Sequence, residues 1–201
     1  GLGDVYKRQL SANTTANLNT AVGSFSMHYN TTGEDNSAFG AYSLEKNTTG
    51  EKNTAIGMGA LLRNTTGNFN SALGASALSS NTTGDFNIAI GTDALKNNTT
   101  GSQNVTVGYQ STYQNTEGIQ NTALGYKALE GNVSGSNNTA VGYKTLQNSS
   151  GDRNTALGTG AGNTTDTGSQ NVIIGFDADV SVSDANNQIV IGYNATGAGD
   201  N

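Results

Sequence analysis

Large apolar residues recur along this chain with a 17-residue period. Nearly every unit starts with Asn, passes through a Ser, Thr or aliphatic residue and usually a small residue, and reaches one large apolar residue followed by Gly. With the Asn numbered position 1, the large apolar residue is at position 4 and the Gly at position 5. This period indicates a repeat architecture. The position-4 residues are Val22, Phe39, Ile56, Leu73, Ile90, Val107, Leu124, Val141, Leu157, Ile174 and Ile191.

Two ladders of glycine follow the same period. The first is at position 5, and the second, at position 15, closes an Asn-Thr-Thr-Gly tract in most units. Both ladders contain a single shorter step, which we assign to a deletion between Leu146 and Asn148. Both predict tight turns, because a positive φ is cheap only without a Cβ. The position-5 glycines are Gly23, Gly40, Gly57, Gly74, Gly91, Gly108, Gly125, Gly142, Gly158, Gly175 and Gly192.

Positions 2 to 4 of each unit predict a short β-strand. Side chains alternate between faces along a strand, so positions 2 and 4 share one face and positions 1, 3 and 5 share the other. Branched residues at positions 2 and 4 suit a strand, and no window shows sustained helical periodicity. We therefore predict an all-β chain, a parallel β-solenoid of about eleven coils, in which each unit contains one or two short strands joined by turns. In this prediction the position-4 residues form the structural core.

Composition narrows the range of functions. Only 33% of the 201 residues are hydrophobic, 28 are Gly, and Pro, Cys and Trp are absent. Such a composition would fit disorder, but disorder predicts no fixed spacing. The net charge of −6 argues against a nucleic-acid partner, which needs clustered Lys and Arg. Without Cys there is no disulfide and no thiolate metal site. No apolar run approaches the length of a membrane span.

The repeat resembles the YadA-like head repeats of trimeric autotransporter adhesins and the repeats of phage-type tail-fibre-like proteins. The resemblance rests on Asn53-Thr54-Ala55-Ile56-Gly57 and its equivalents, and it covers residues 10–201. It implies a left-handed parallel β-roll and a homotrimer. It also implies that positions 2 and 4 fill each roll while the small-residue face meets the other chains. The family unit is usually shorter, so we expect the Asn-Thr-Thr-Gly residues to form an enlarged outward turn. A three-sided hexapeptide helix ranks second.

The function implied by this resemblance is that of a non-enzymatic extracellular fibre segment, an adhesin head or stalk that attaches to a host cell or surface. The expected partner is the chain itself, as a homotrimer, together with a receptor, matrix or glycan that the sequence does not name. The expected location is the bacterial cell surface, through an outer-membrane anchor beyond this segment. A phage tail-fibre shaft, an ice-binding solenoid and a depolymerase fibre with its catalytic residues elsewhere stay open. We expect no cofactor, catalytic residue or metal site.

Few residues are candidates for surface chemistry. Tyr recurs at position 6 and is the candidate for a surface contact with carbohydrate or a receptor, because Tyr favours binding surfaces. Packing beside the turn Gly is the favoured interpretation. The acidic group Asp177, Asp179 and Asp184 is an alternative Ca²⁺ site, and a solvated loop is the favoured interpretation. His28 is the only histidine and has no recurring carboxylate partner. The position-6 tyrosines are Tyr109, Tyr126, Tyr143 and Tyr193.

For the repeated polar residues, a structural role is the favoured interpretation over ligand binding or modification. The Asn-Thr-Thr tracts match the N-glycosylation acceptor pattern, and capped turns are the favoured interpretation. The position-1 Asn residues predict a ladder of amides bonded from coil to coil. The tracts begin at Asn30, Asn47, Asn64, Asn81, Asn98 and Asn163.

Three segments are predicted. Residues 1–9 are interpreted as a translated sequencing adapter, which indicates a fragment assembled from environmental DNA. Residues 10–175 form the regular repeat. Residues 176–201 form degenerate repeats that lead towards a further region.

Overall fold

The computed structural model describes residues 8–199 as one stack of short parallel strands. The strands form a single eleven-stranded sheet in chain order, and successive coils build a β-solenoid of about ten turns. The predicted all-β parallel architecture is confirmed. Most of the predicted adapter segment, residues 1–7, lies outside the described residues. The strands are β1 Thr20–Val22, β2 Ser37–Phe39, β3 Thr54–Ile56, β4 Ser71–Leu73, β5 Ile88–Ile90, β6 Val105–Val107, β7 Thr122–Leu124, β8 Thr139–Val141, β9 Thr155–Leu157, β10 Val172–Ile174 and β11 Ile189–Ile191.

Equivalent positions of successive units pair with one another. In the pair β3 and β4, for example, Ile56 is the partner of Leu73. Backbone hydrogen bonds between coils continue outside the strands, where the Leu61 amide donates to the Ala77 carbonyl at 3.0 Å. Because these bonds extend around much of the coil, each unit is held by its neighbours through its backbone as well as its side chains.

The interior of the solenoid is built from positions 3, 8 and 9. In the coil of β3, Ala55, Ala60 and Leu61 are fully buried. Ile56, on the other strand face, is 40% exposed. The prediction that the position-4 residues form the core of the chain is therefore wrong. The implied arrangement, with the small-residue face outward, is reversed as well.

The narrow interior explains this reversal. Position 9 places a buried Leu in the same interior, so a small side chain fits at position 3 of those coils, whereas buried Ile173 follows a coil with Gly162 at position 9. The Asn at position 1 is on the same strand face, and its amide needs hydrogen-bond partners that the interior supplies. Branched side chains at positions 2 and 4 would need a thicker coil, and they point outward instead.

Two Asn side chains close each regular coil. In the coil of β3, the Asn53 and Asn64 side-chain amides donate to the Gly67 carbonyl at 2.8 and 2.9 Å. Both amides also donate to the equivalent Asn of the preceding coil, Asn36 at 3.1 Å and Asn47 at 2.8 Å. The predicted position-1 ladder is confirmed. The second ladder, at position 12, lies in the tracts that we interpreted as turns.

The two glycine ladders have different causes. The position-5 glycines all have φ between 128° and 144°, which confirms the predicted turn. Gly67, at position 15, has no positive φ. A Cβ there would lie 2.5 Å from the Gly84 carbonyl oxygen, so close approach between coils excludes a side chain.

Non-glycine residues in the left-handed region turn the remaining corners. In the coil of β3, Leu61 at position 9 has φ of 51° and Phe69 at position 17 has φ of 56°. Such a conformation costs an L-residue about 1–2 kcal/mol. The sequence pattern does not reveal it, because these positions carry ordinary side chains.

The coil of β8 is one residue shorter than the others, and the missing residue lies further along the chain than we predicted. The Ser149 amide donates to the Leu146 carbonyl at 3.1 Å, as the Asn132 amide does to Leu129 one coil earlier at 3.3 Å. Ser149 therefore occupies position 12, and the deletion lies between Ser149 and Gly151 instead of between Leu146 and Asn148. In the next coil, Thr165 occupies position 12, so the tract beginning at Asn163 is not equivalent to the others.

The apolar interior is divided into two clusters. One contains buried residues from Met27 to Leu95, and the other contains buried residues from Ala123 to Val190. The coil of β6 separates them, because Thr106 and Thr112 replace the usual Ala and Leu at positions 3 and 9.

The last described coils keep the strand register. Val172 pairs with Ile189, and an isolated bridge joins Asp179 to Thr196. Buried Gln188 replaces the Asn of position 1 in the final coil. The departures from the repeat pattern after residue 175 therefore affect side chains more than the path of the strands.

Candidate interaction surfaces

The outward face of the sheet is an apolar strip. It consists of positions 2 and 4 of all eleven strands, and we call it the strand strip. Eight of its position-4 residues are 38–65% exposed, and the other three are half-buried. None of these 22 positions carries a charged residue. A charge-free surface of this kind is typical of the centre of a protein interface.

The size of the strand strip follows from strand geometry. Eleven strands at about 4.8 Å spacing extend about 48 Å, and two columns of side chains about 7 Å apart make a strip about 10 Å wide, with an area on the order of 500 Å². The largest apolar patch on a monomeric protein is usually about 300–600 Å². The strip, with Ser or Thr at seven of its 22 positions, is therefore comparable with such a patch, and it runs through all eleven strands.

The Asn-Thr-Thr tracts do not form a free polar surface. The Asn side chains of the regular tracts, such as Asn47 and Asn64, are fully buried, and their amides donate within and between coils. N-glycosylation needs an accessible Asn amide, so the folded tracts are not acceptors.

The Thr hydroxyls of these tracts divide into two classes. At position 13 each hydroxyl donates to the next coil, as Thr65 does to the Thr82 carbonyl at 2.9 Å. At position 14 the Thr residues are exposed, and Thr66 is one example. Only one of the two hydroxyl columns is therefore available to solvent.

Three of the four predicted tyrosines form one stack. Tyr109, Tyr126 and Tyr143 lie on successive coils, with ring centroids 5.5 and 5.1 Å apart and interplanar angles of 15° and 8°. They are 44%, 41% and 50% exposed. Tyr193 lies apart and stacks on Phe176 at 5.4 Å. The structure thus brings together the first three and separates the fourth.

Lysines flank the tyrosine stack. Lys127 Nζ lies 5.9 Å from the Tyr126 ring centre, and Lys144 Nζ lies 5.5 Å from that of Tyr143. Lys127 also forms an ion pair with Glu130 at 2.9 Å. Its hydrogen bond to Glu130 raises the pKa of Lys127 above its usual value. Cation–π geometry and charge pairing therefore hold these side chains close to the rings.

Other aromatic residues follow the same rule of stacking between coils. Phe25 stacks on Tyr42 at 5.3 Å, and Phe69 stacks on Phe86 at 4.9 Å. These pairs were not predicted from the sequence. The signal that could have found them is an aromatic residue that recurs at the same position of the next unit.

The remaining candidates do not converge. Among residues 8–199, no three or more His, Asp or Glu side chains form a group that could hold a metal ion, so the structure does not bring Asp177, Asp179 and Asp184 together in that way. His28 packs against the rings of Phe25 and Tyr29 at 5.4 and 4.4 Å. The described surface has no cleft that could enclose a small molecule.

Comparisons with family models, with curated proteins and with solved structures find no match for this chain. Within residues 8–199, no helix is long and apolar enough to cross a membrane.

Proposed function

We propose that the chain is a segment of an extracellular adhesive fibre, assembled as a homotrimer through the strand strip. The observation that carries the proposal is the outward position of the branched residues along the whole sheet. A strip of this length without charge is costly to leave in water, since each buried Val, Leu or Ile side chain contributes about 1.5–3 kcal/mol. Further copies of the same chain present a strip of the same length and the same coil spacing.

The arrangement of the assembly follows from this interface. The three strips face one another along a common axis, and the tract turns face solvent. The left-handed coil that the resemblance implies is part of the proposal. The proposed fibre segment is non-enzymatic.

Attachment is the function that such a rod supports best. A stiff trimer holds a binding surface away from its anchor and repeats that surface three times, which raises avidity. A bacterial surface anchor beyond this segment fits this function, and a phage tail-fibre shaft would use the same geometry. The two origins differ in the domains joined to the solenoid.

Sedimentation of the full chain tests the assembly. We expect a mass three times that of the 20.5 kDa chain. The double variant Ile56→Lys and Ile90→Lys places charges on the strip and should yield a monomer with unchanged β-sheet circular dichroism. The matched control, Thr66→Lys and Thr100→Lys, places the same charges on the tract turns of the same two coils and should stay trimeric. A wild-type chain that is monomeric at tens of micromolar would overturn the proposed assembly.

Attachment needs its own measurement. Beads coated with the chain should be retained on cultured cell layers, and beads coated with the double strip variant should be retained less because avidity is lost. Equal retention of coated and uncoated beads would contradict the adhesive role while leaving the trimer intact.

A second candidate function is ice binding. It is favoured by seven Ser or Thr residues at position 2, which lie on the outward strand face at regular spacing. Large side chains at position 4, including Phe39 and Leu73, disturb the flatness of that face. Thermal hysteresis in a solution of the chain tests this function, and a trimer that covers the strip would show none.

A further inference from the structure

Tyrosine is concentrated in three successive coils. Four of the chain's eight tyrosines lie in the coils of β6, β7 and β8, namely Tyr109, Tyr113, Tyr126 and Tyr143. Lys127 and Lys144 follow two of them directly in sequence. We call Tyr109, Tyr126, Tyr143, Lys127 and Lys144 the tyrosine patch.

Stacking decides which part of each ring is available. Tyr126 is covered on both faces, by Tyr109 at 5.5 Å and by Tyr143 at 5.1 Å. Its edge and hydroxyl remain for contact with solvent. Among the described residues, none of the three hydroxyls has a hydrogen-bond partner. The patch therefore presents a row of hydroxyl groups that repeats once per coil.

One lysine of the patch has no acidic partner. Lys127 is paired with Glu130 at 2.9 Å, whereas Lys144 contacts the Tyr143 ring and forms no ion pair among residues 8–199. An unpaired ammonium beside unpaired hydroxyls favours an anionic ligand in a chain whose net charge is −6.

The hydroxyls and the ammonium groups of the tyrosine patch favour some classes of ligand over others. Apolar peptides bind to ring faces, and the stack covers both faces of Tyr126 and one face each of Tyr109 and Tyr143. Nucleic acids need many cations, and the patch contains two. A polysaccharide offers hydroxyls at regular intervals, and one sugar of an extended β-linked chain advances by about the rise of one coil. Carboxylates on the sugars would pair with Lys144.

We propose that the tyrosine patch binds an extended β-linked polysaccharide that carries carboxylates, lying parallel to the solenoid axis. The proposal deepens the adhesive function proposed above, for which it supplies the ligand class. The sugar hydroxyls exchange hydrogen bonds with the three Tyr hydroxyls, and Lys144 selects for the carboxylate.

Isothermal titration of the full chain with a β-linked oligomannuronate tests the proposal. A cello-oligosaccharide of equal length has the same linkage without the carboxylates, and a malto-oligosaccharide has a different linkage and shape. We expect affinity to fall in that order. Equal affinity for all three, or no binding of the oligomannuronate, would overturn the proposal.

Variants assign the contacts. Tyr126→Ala should weaken oligomannuronate binding by about tenfold, and Tyr126→Phe, which keeps the stack, should weaken it by a smaller factor. Lys144→Gln should remove the preference for oligomannuronate over the cello-oligosaccharide while leaving the affinity for the latter unchanged. Tyr42→Ala, which alters a stack outside the patch, is the matched control. A loss with Tyr42→Ala equal to that with Tyr126→Ala would contradict the assignment.

This experiment is separate from the test of assembly. The patch lies within one chain, so a monomer that binds oligomannuronate would remove only the proposed trimer. A trimer that binds no oligosaccharide would remove only the proposed ligand.

Discussion

Two neighbouring stretches of the solenoid share one backbone but differ in their interiors. Residues 36–103, the regular stack, contain the coils of β2 to β5, and residues 104–170, the interrupted stack, contain the coils of β6 to β9. In the regular stack every coil has buried Ala at position 3, Leu at position 9 and Asn at position 12. In the interrupted stack Thr112 and Gly162 replace Leu at position 9, and Ser149 and Thr165 replace Asn at position 12.

The difference is visible in unsatisfied polar groups. Among the described residues, every buried side-chain polar atom without a hydrogen-bond partner lies in the interrupted stack. Each such atom lowers stability by about 1–3 kcal/mol. They belong to Thr112, Asn132, Ser149, Asn163 and Thr165.

The strand register is nevertheless the same in both stretches, as is the ladder of position-1 Asn residues. The Asn121 backbone amide donates to Asn104 Oδ1 at 2.9 Å, as the Asn53 amide does to Asn36 at 2.9 Å. The backbone and this ladder therefore maintain a coil even where the apolar interior fails. We expect the interrupted stack to open at lower free energy than the regular stack.

The largest expected effect comes from breaking the position-12 ladder in the regular stack. Asn64→Ser removes hydrogen bonds to Asn47 Oδ1 at 2.8 Å and to the Gly67 carbonyl at 2.9 Å, together with the bond that Asn64 accepts from Asn81. We expect the free energy of unfolding to fall by about 3 kcal/mol in urea titration.

Asn132→Ser is the matched control for Asn64→Ser. The Asn132 Oδ1 already lacks a partner, so this variant loses one bond fewer and should cost about 2 kcal/mol. An equal cost in both stretches would show that the interruption has no energetic consequence.

Replacing a buried Thr in the coil of β6 by an apolar residue should have the next largest effect on the free energy of unfolding. Thr112 is buried and β-branched, with φ of 52° and an unsatisfied hydroxyl. Thr112→Leu restores the usual residue and should stabilise the chain by about 2 kcal/mol. Hydrogen exchange of residues 104–120 should slow accordingly. The reverse change, Leu95→Thr, should destabilise the neighbouring coil, and an increase in stability there would contradict the comparison.

Restoring the Asn ladder at position 12 of the coil of β8 should have a smaller effect on the free energy of unfolding. Ser149→Asn supplies a donor for Asn132 Oδ1, and we expect a gain of about 1 kcal/mol, measured as a higher urea midpoint. Ser149→Ala removes the unsatisfied hydroxyl without adding a donor, so it separates the two contributions. A gain with Ala that equals the gain with Asn would exclude restoration of the ladder as the cause.

The smallest expected effect lies at position 16, on the surface. Side-chain oxygens there accept from the backbone amide one coil earlier, as Ser102 does from Asp85 at 3.0 Å and Ser136 does from Ile119 at 3.1 Å. Ile119 offers no such acceptor to the Ser102 amide. Ile119→Ser should therefore raise stability by about 0.5 kcal/mol, while Ile119→Ala should not. Thermal unfolding measures both variants.

Several features of the fold were predictable from residue spacing alone. The repeat period, the strand at positions 2 to 4 and the turn at Gly57 and its equivalents follow from local chemistry, because each depends on one residue type at one position. The tyrosine stack was partly predictable, since Tyr109, Tyr126 and Tyr143 occupy the same position of successive units. The position of the deletion was not, because Asn148 and Ser149 both suit a turn.

By itself the sequence determined that the chain repeats, that each unit contains one or two short strands, and where the strand at positions 2 to 4 turns. Only the tertiary structure decided which strand face is inside. The alternation of side chains treats both faces alike, and larger apolar residues are usually buried. In the regular coils the interior holds Ala and Asn beside the Leu of position 9, and Ile173 takes the place of Ala where Gly162 replaces that Leu. Ile56 and its equivalents line the outside, because the face that carries Asn is the one whose amides need hydrogen-bond partners in the interior.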